Sequence, residues 1–184
     1  MNSSASSITV RYCYKAKLLI DMNFQLRCFR RDMNYPEAVD PARVGTYDAV
    51  AKAGGGYVWD AVLEYRVWCH PERGAPDEAD GSDYFYTFVT YPEALDFSER
   101  TEGAEEPLAL VLQQEYISEE EPGQYVHVKT KRITEWPVSF LARPRRTENT
   151  IPDFLAPDAP ANRLNILRGL AISRREAEGG QRDA

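Results

Sequence analysis

Tyr84-Phe85-Tyr86-Thr87-Phe88-Val89-Thr90-Tyr91-Pro92-Glu93-Ala94-Leu95-Asp96-Phe97-Ser98 changes its period half-way along. The first six residues are aromatic or β-branched and predict a strand. Thr90 and Glu93 then stand at the spacing of a capping box. In that motif the Thr90 hydroxyl accepts from the N–H three residues on, and Glu93 reaches back to the Thr90 N–H. Ala94, Leu95 and Phe97 or Ser98 follow at helical spacing, and Gly103 ends the helix after about Thr101. A strand that runs into a capped helix predicts a mixed fold.

Upstream, Tyr57 to Cys69 reads as a long strand. Trp59, Ala61, Leu63, Tyr65, Val67 and Cys69 alternate onto one face, and Asp60, Glu64 and Arg66 onto the other. One buried and one wet face predicts antiparallel pairing. An acidic, Gly/Pro-rich connection from His70 to Asp83 joins it to the second strand. Further back, Asp40-Pro41 predicts a helix start, with Val44, Tyr47, Ala51 and Val50 as its apolar stripe and Gly54-Gly55-Gly56 as its stop. Those glycines precede a strand, whereas a phosphate-cradling loop precedes a helix.

Downstream, Pro107 to Ile117 predicts a third strand with Leu108, Leu110 and Leu112 inward, although its apolar run also suits a central buried position. Glu119-Glu120-Glu121-Pro122-Gly123 predicts a turn, and Gln124 to Thr134 a fourth strand that pairs with the third as a hairpin. A Pro-rich bridge follows. A last helix runs from an Asn162 cap to about Ser173, with Leu164, Leu167 and Leu170 or Ala171 facing in. The expected fold class is α+β: a mostly antiparallel four-stranded sheet with helices on one face, in the order α-β-β-α-β-β-α.

Charge divides the chain. Residues 1–32 hold six basic and two acidic residues, so +4 of the total −7, and the remainder carries −11. An acidic domain repels nucleic-acid phosphate at long range, which argues against nucleic-acid binding. Three cysteines at Cys13, Cys28 and Cys69 make neither a disulfide framework nor a CxxC pair, and suit a reducing, cytoplasmic setting. No apolar run approaches the roughly 18 residues of a membrane span. A secretory signal fits residues 1–32 poorly, since Asp21 interrupts the short run Leu18-Leu19-Ile20, while an organelle-targeting segment fits the composition. The reading adopted is a basic appendage over 1–32, the product of an upstream start codon or an extension outside the fold. A single α+β domain then spans 33–173, with a disordered charged tail over 174–184.

Few residues suggest chemistry. Cys69-His70 ends the first strand beside an irregular loop and is a possible functional loop. Neighbours on a strand face opposite ways, so a thiolate at Cys69 would need His127 from across the sheet. A metal site would need His70 and His127 with carboxylates such as Asp77, Asp80 or Asp83. Two histidines so far apart have no recognisable ligand spacing, and no metal is expected. Arg143, Arg145 and Arg146 could hold an anion by their guanidinium forks, or could be a basic turn pairing with the acids at 119–121.

The stretches Val44-Gly45-Thr46-Tyr47, Thr101 to Leu108, Ile133-Thr134-Glu135-Trp136-Pro137 and Ile151-Pro152-Asp153-Phe154-Leu155 resemble a group of small bacterial proteins of unknown function. These are often labelled GNAT-type N-acetyltransferases, and the resemblance covers most of residues 34–172. It implies acetyl-CoA as cofactor; in a transferase reading of this chain Arg143, Arg145 and Arg146 are the only obvious anion donors, and Tyr125 or Glu135 the candidate acid or base. The Arg/Gln-x-x-Gly-x-Gly/Ala loop of that family is absent, so no pyrophosphate-binding residue carries over. The residues themselves favour a non-catalytic binding module without cofactor, its partner an unknown protein or small molecule. The alternative is the N-acyltransferase. A concave pocket with converging polar groups would separate an enzyme from a module with a flat apolar patch.

Overall fold

The computed structural model describes residues 34–49 and 54–171, all but Asn34 within the unit Tyr35–Ala184. The expectations for residues 1–32 and 174–184 lie outside the described residues.

A four-stranded antiparallel sheet organises the chain. It consists of β1 (Ala61–Cys69), β2 (Tyr84–Phe88), β3 (Leu108–Gln113) and β6 (Arg132–Pro137), in the spatial order β2-β1-β3-β6. Between β3 and β6 the chain forms β4 (Tyr116–Glu121) and β5 (Gln124–Val128), which pair as a separate two-stranded sheet. Helix α1 (Tyr91–Arg100) follows β2, and two short helices, α2 (Thr150–Leu155) and α3 (Arg163–Leu167), come late. The α+β class and the antiparallel four-stranded sheet are as the sequence predicts. Among the described residues no helix is long and apolar enough to cross a membrane.

The strand-to-helix junction forms as its motif requires. The Glu93 N–H donates to the Thr90 hydroxyl at 3.4 Å, and the Thr90 N–H donates to the Glu93 carboxylate at 3.1 Å. Helix α1 then buries Tyr91, Ala94 and Leu95 against Tyr65, Val67, Ala109, Val111 and Trp136 of the sheet. Each fully buried large apolar side chain of this kind contributes roughly 1.5–3 kcal/mol.

Elsewhere long-range contacts override the local pattern. The expected helix after Asp40 is one 3-10 turn, Pro41–Arg43, although Asp40 does accept from the Ala42 N–H at 3.2 Å. Gly45 takes φ +82, and its N–H donates to the Glu64 carboxylate at 2.7 Å. A side chain from β1 thus takes the amide that a continuing helix would need. Residues 50–53 of that expected helix lie outside the described residues.

The expected third and fourth strands each break in two. They do pair as a hairpin, but its base (β3 and β6) joins the main sheet and its tip (β4 and β5) does not. Glu119 and Glu121 therefore lie on β4, and the turn is confined to Pro122-Gly123, with Gly123 at φ +82. The tip packs beside a second core of Val58, Ile117, Ile151, Phe154 and Leu167. Part of the Pro-rich bridge is helical there, as α2. The last helix ends at Leu167, and Leu170 is exposed.

Both faces of the sheet are covered. Ala109 and Val111 face α1, while Leu110 on the opposite face is equally buried. Glu64 and Arg66, expected on a wet face, are each 0 % exposed. The Arg66 guanidinium donates to Glu64 at 2.6 Å, to Glu135 at 3.1 Å, and to the carbonyls of Tyr47 and Asp48 at 2.9 Å each. It also lies 4.4 Å from the Phe85 ring centroid. A charge can be buried only when it is paired and hydrogen-bonded, and this one is both.

Candidate functional site

Gly54-Gly55-Gly56 runs along the outer edge of β6. The Gly54 N–H donates to the Glu135 carbonyl at 3.2 Å, and the Trp136 indole donates to the Gly55 carbonyl at 3.1 Å. Gly56 has φ +92, and a Cβ there would lie 2.4 Å from Gln113 Nε2 and 2.7 Å from Arg132. The left-handed φ is what favours glycine here, since a Cβ would meet only the ends of the Gln113 and Arg132 side chains. Tyr57 follows at φ +61, which costs a non-glycine residue of order 1–3 kcal/mol and often marks a functional position.

This segment forms one wall of a cavity of about 660 Å³, within the usual range for small-molecule sites. Leu108, Glu135 and Pro137 contribute the sheet wall, and Tyr116 and Glu119 of β4 the opposite one. Three arginines, Arg132, Arg143 and Arg168, also line it.

Each arginine rests on aromatic rings. Arg143 lies 3.8 Å from the Phe140 centroid, 5.1 Å from Trp136 and 5.9 Å from Tyr57. Its backbone is fixed on both sides: the N–H donates to Phe140 at 3.0 Å, and the carbonyl accepts from the Trp59 indole at 2.9 Å. Among the described residues no carboxylate pairs with the Arg143 guanidinium. Burial, and then the like charge of Arg168, push its pKa down. Arg132 lies 4.0 Å over Tyr116 and donates to Gln113 at 2.5 Å, while one of its terminal nitrogens is buried without a partner.

Of the two acidic groups that line the cavity, Glu119 is engaged through both oxygens and Glu135 through one. Glu119 accepts from the Gly123 N–H at 2.8 Å and from the Tyr57 hydroxyl. Those two hydrogen bonds, the backbone one first, hold its pKa below the usual carboxylate value, and burial with the Glu119 bond raises that of Tyr57. Glu119 therefore stabilises the fold above the unfolded-state pKa, near 4.5, and loses that contribution as pH falls through its lower folded-state pKa. The expected result is a melting-temperature gap between wild type and Glu119→Gln that is widest near neutrality and closes toward pH 3. Melts across that range check it, and a constant gap contradicts it.

Glu135 accepts from Arg66 and from the Trp68 indole at 3.3 Å, both through Oε1. Its Oε2 is sealed from solvent with no hydrogen-bond partner among the described residues. Tyr125, the other candidate acid or base of the transferase reading, packs on Phe154 with centroids 4.9 Å apart beside the second core.

The structure divides the three arginines expected to act together. Arg143 enters the cavity. Arg145 donates to the Asp60 carbonyl at 2.5 Å, and Arg146 holds the Asp60 carboxylate at 2.8 Å. Their partner is thus Asp60, not the acids at 119–121. Arg132 and Arg168 were not singled out in the sequence, where neither sits in a basic run with Arg143.

Cys69 and His70 face opposite ways, as strand alternation requires. Cys69 is fully buried, and its pKa is pushed up, first by that burial and then by the Glu78 charge. His127 lies on β5 at 2.5 Å from Glu115, in the other sheet. No Cys–His pair forms, and the two histidines do not share a site.

No protein-family model matches the chain, and neither a curated protein nor a solved structure is significantly similar to it.

Proposed function

We propose that the protein is a non-catalytic binding module whose cavity takes a small anionic ligand, a carboxylate or a phosphate. The observation that carries this reading is Arg143, a part-buried cation seated on aromatic rings beside Arg168 with, among the described residues, no carboxylate paired to it. A desolvated cation facing a like charge is a standing cost that an entering anion offsets. Guanidinium forks match both carboxylate and phosphate oxygens. Glu119, the acid beside them, is committed to Tyr57 and Gly123, which favours a binding role for the converging groups.

The N-acyltransferase alternative would make acetyl-CoA the ligand. Pyrophosphate of that cofactor needs open N–H groups at a strand-to-helix junction. At the junction of β2 and α1, Thr90 and Glu93 already occupy that position with their capping box. The test is thermal unfolding with inorganic phosphate, acetate or acetyl-CoA, at matched ionic strength. A ligand at a hundredfold excess over its Kd adds about 2.7 kcal/mol of stability. The expected result is a raised midpoint with phosphate or acetate that Arg143→Gln and the exposed Arg168→Gln both lose. A rise with acetyl-CoA alone favours the transferase. No rise with any of the three overturns the binding-module reading.

A further inference from the structure

The hairpin register brings a second group of polar side chains together. Cys69 pairs with Tyr84 at the open end of β1 and β2, so His70 and Asp83 emerge opposite each other. A 3-10 turn, Pro71–Arg73, then brings Glu72 back toward the same point. His70 Nδ1 lies 2.8 Å from Asp83 Oδ1 and 3.7 Å from Glu72 Oε1. One ligand atom from each of the three residues falls within 4.8 Å of the others. The imidazole is 8 % exposed, and the two carboxylates are largely open to solvent.

The imidazole contacts these acids at close range but makes no hydrogen bond to them. Both ring nitrogens are buried without a hydrogen-bond partner, so the Nδ1 direction misses the oxygen only 2.8 Å away. A hydrogen bond needs the nitrogen to point at the oxygen, whereas ligands of one ion point at the space between them. Bonds of about 2.0–2.2 Å place two ligands of one ion about 3.0–3.6 Å apart. The two separations from His70 lie close to that range, and the carboxylate oxygens lie within 4.8 Å of each other. On the far side of the ring, Nε2 lies 3.0 Å from Glu105. No hydrogen bond forms there, but Glu105 stands close enough to accept the Nε2 proton, the usual support of a ligating histidine, once the ring turns to an ion.

We infer that His70 Nδ1, Glu72 and Asp83 form a site for a divalent transition-metal ion of the zinc class. Imidazole nitrogen with two carboxylates suits such an ion better than calcium or magnesium, which favour all-oxygen sites. Two carboxylates balance its charge, and the exposed side leaves room for water. Arg73, whose side chain is exposed, lies 3.4 Å from Glu72 and 3.3 Å from Glu105.

The test is calorimetric titration of the full chain, stripped with a chelator, using zinc chloride alone and magnesium chloride as comparator. One zinc per chain is expected, with little magnesium binding. Asp83→Asn and Glu72→Gln change exposed side chains and should leave the fold unaltered by circular dichroism. Each should weaken zinc binding at least tenfold. Glu105→Gln should weaken it about tenfold, the usual effect of losing a supporting carboxylate. Absence of zinc binding by the wild type overturns the site. So does zinc binding that Asp83→Asn and Glu72→Gln leave unchanged, since the ion would then sit elsewhere.

Discussion

Replacing Arg66 with methionine is expected to lower folding stability by about 3–5 kcal/mol, the usual result of leaving a buried ion-pair partner uncompensated. The loss is large because Arg66 serves four groups at once. Two are the carboxylates of Glu64 and Glu135, and two are the backbone carbonyls of Tyr47 and Asp48. Leu110 lies between Glu64 and Glu135 in register, so the medium between the charges is apolar. Without the guanidinium, two buried carboxylates face each other across that leucine. The segment around Tyr47 also loses its anchor to the sheet. Urea denaturation of the variant measures the effect. A triple variant with leucine at Glu64 and Glu135 and methionine at Arg66 should recover much of the loss, because apolar replacement of a whole buried ion network is often neutral. A single Arg66→Met variant as stable as wild type would contradict the network.

Trp136→Ala is expected to cost about 3–5 kcal/mol, the range for removing a buried tryptophan. Trp136 is 0 % exposed and packs in the core shared by α1 and the sheet. Its ring meets Phe140 edge-on at 5.9 Å, its indole N–H holds the Gly55 carbonyl, and Arg143 lies 5.1 Å above it. The substitution therefore opens a void and loosens both the glycine segment and the seat of Arg143. Trp136→Phe should lose less, since it keeps the apolar contact and Gln113 still donates to Gly55 at 3.3 Å. Denaturant midpoints for the two variants check the order. Under the proposed function, both should also blunt the response to phosphate or acetate. An alanine variant within 1 kcal/mol of wild type would show that this core is not where stability resides, given the usual scale of core truncation.

The candidate sites were legible only in part. Arg143 was visible as one of a basic trio, but only Arg143 of the three lines the cavity. Asp60, taken for a wet strand position, holds Arg145 and Arg146 from 85 and 86 residues away. Arg168 reaches the cavity from the end of α3, and Arg132 from β6, so no local motif links them to Arg143. For His70, the signal lay in the hairpin register. The pairing of Cys69 with Tyr84 selects Asp83 from the acids of the loop, and spacing along the chain does not.

The sequence by itself determined the strand β2, the capped helix α1, the β3–β6 hairpin and hence the antiparallel α+β class. Each depends on contacts a few residues apart or on the two-residue alternation of a strand. The tertiary structure alone decided that Glu64 and Arg66 are buried and that the residues after Pro41 abandon a helix. It also decided where the long hairpin splits and which arginine is left facing the cavity. The physical reason is shared by all four. A charged or polar backbone group is buried or exposed according to whether a partner reaches it, and those partners arrive from distant parts of the chain.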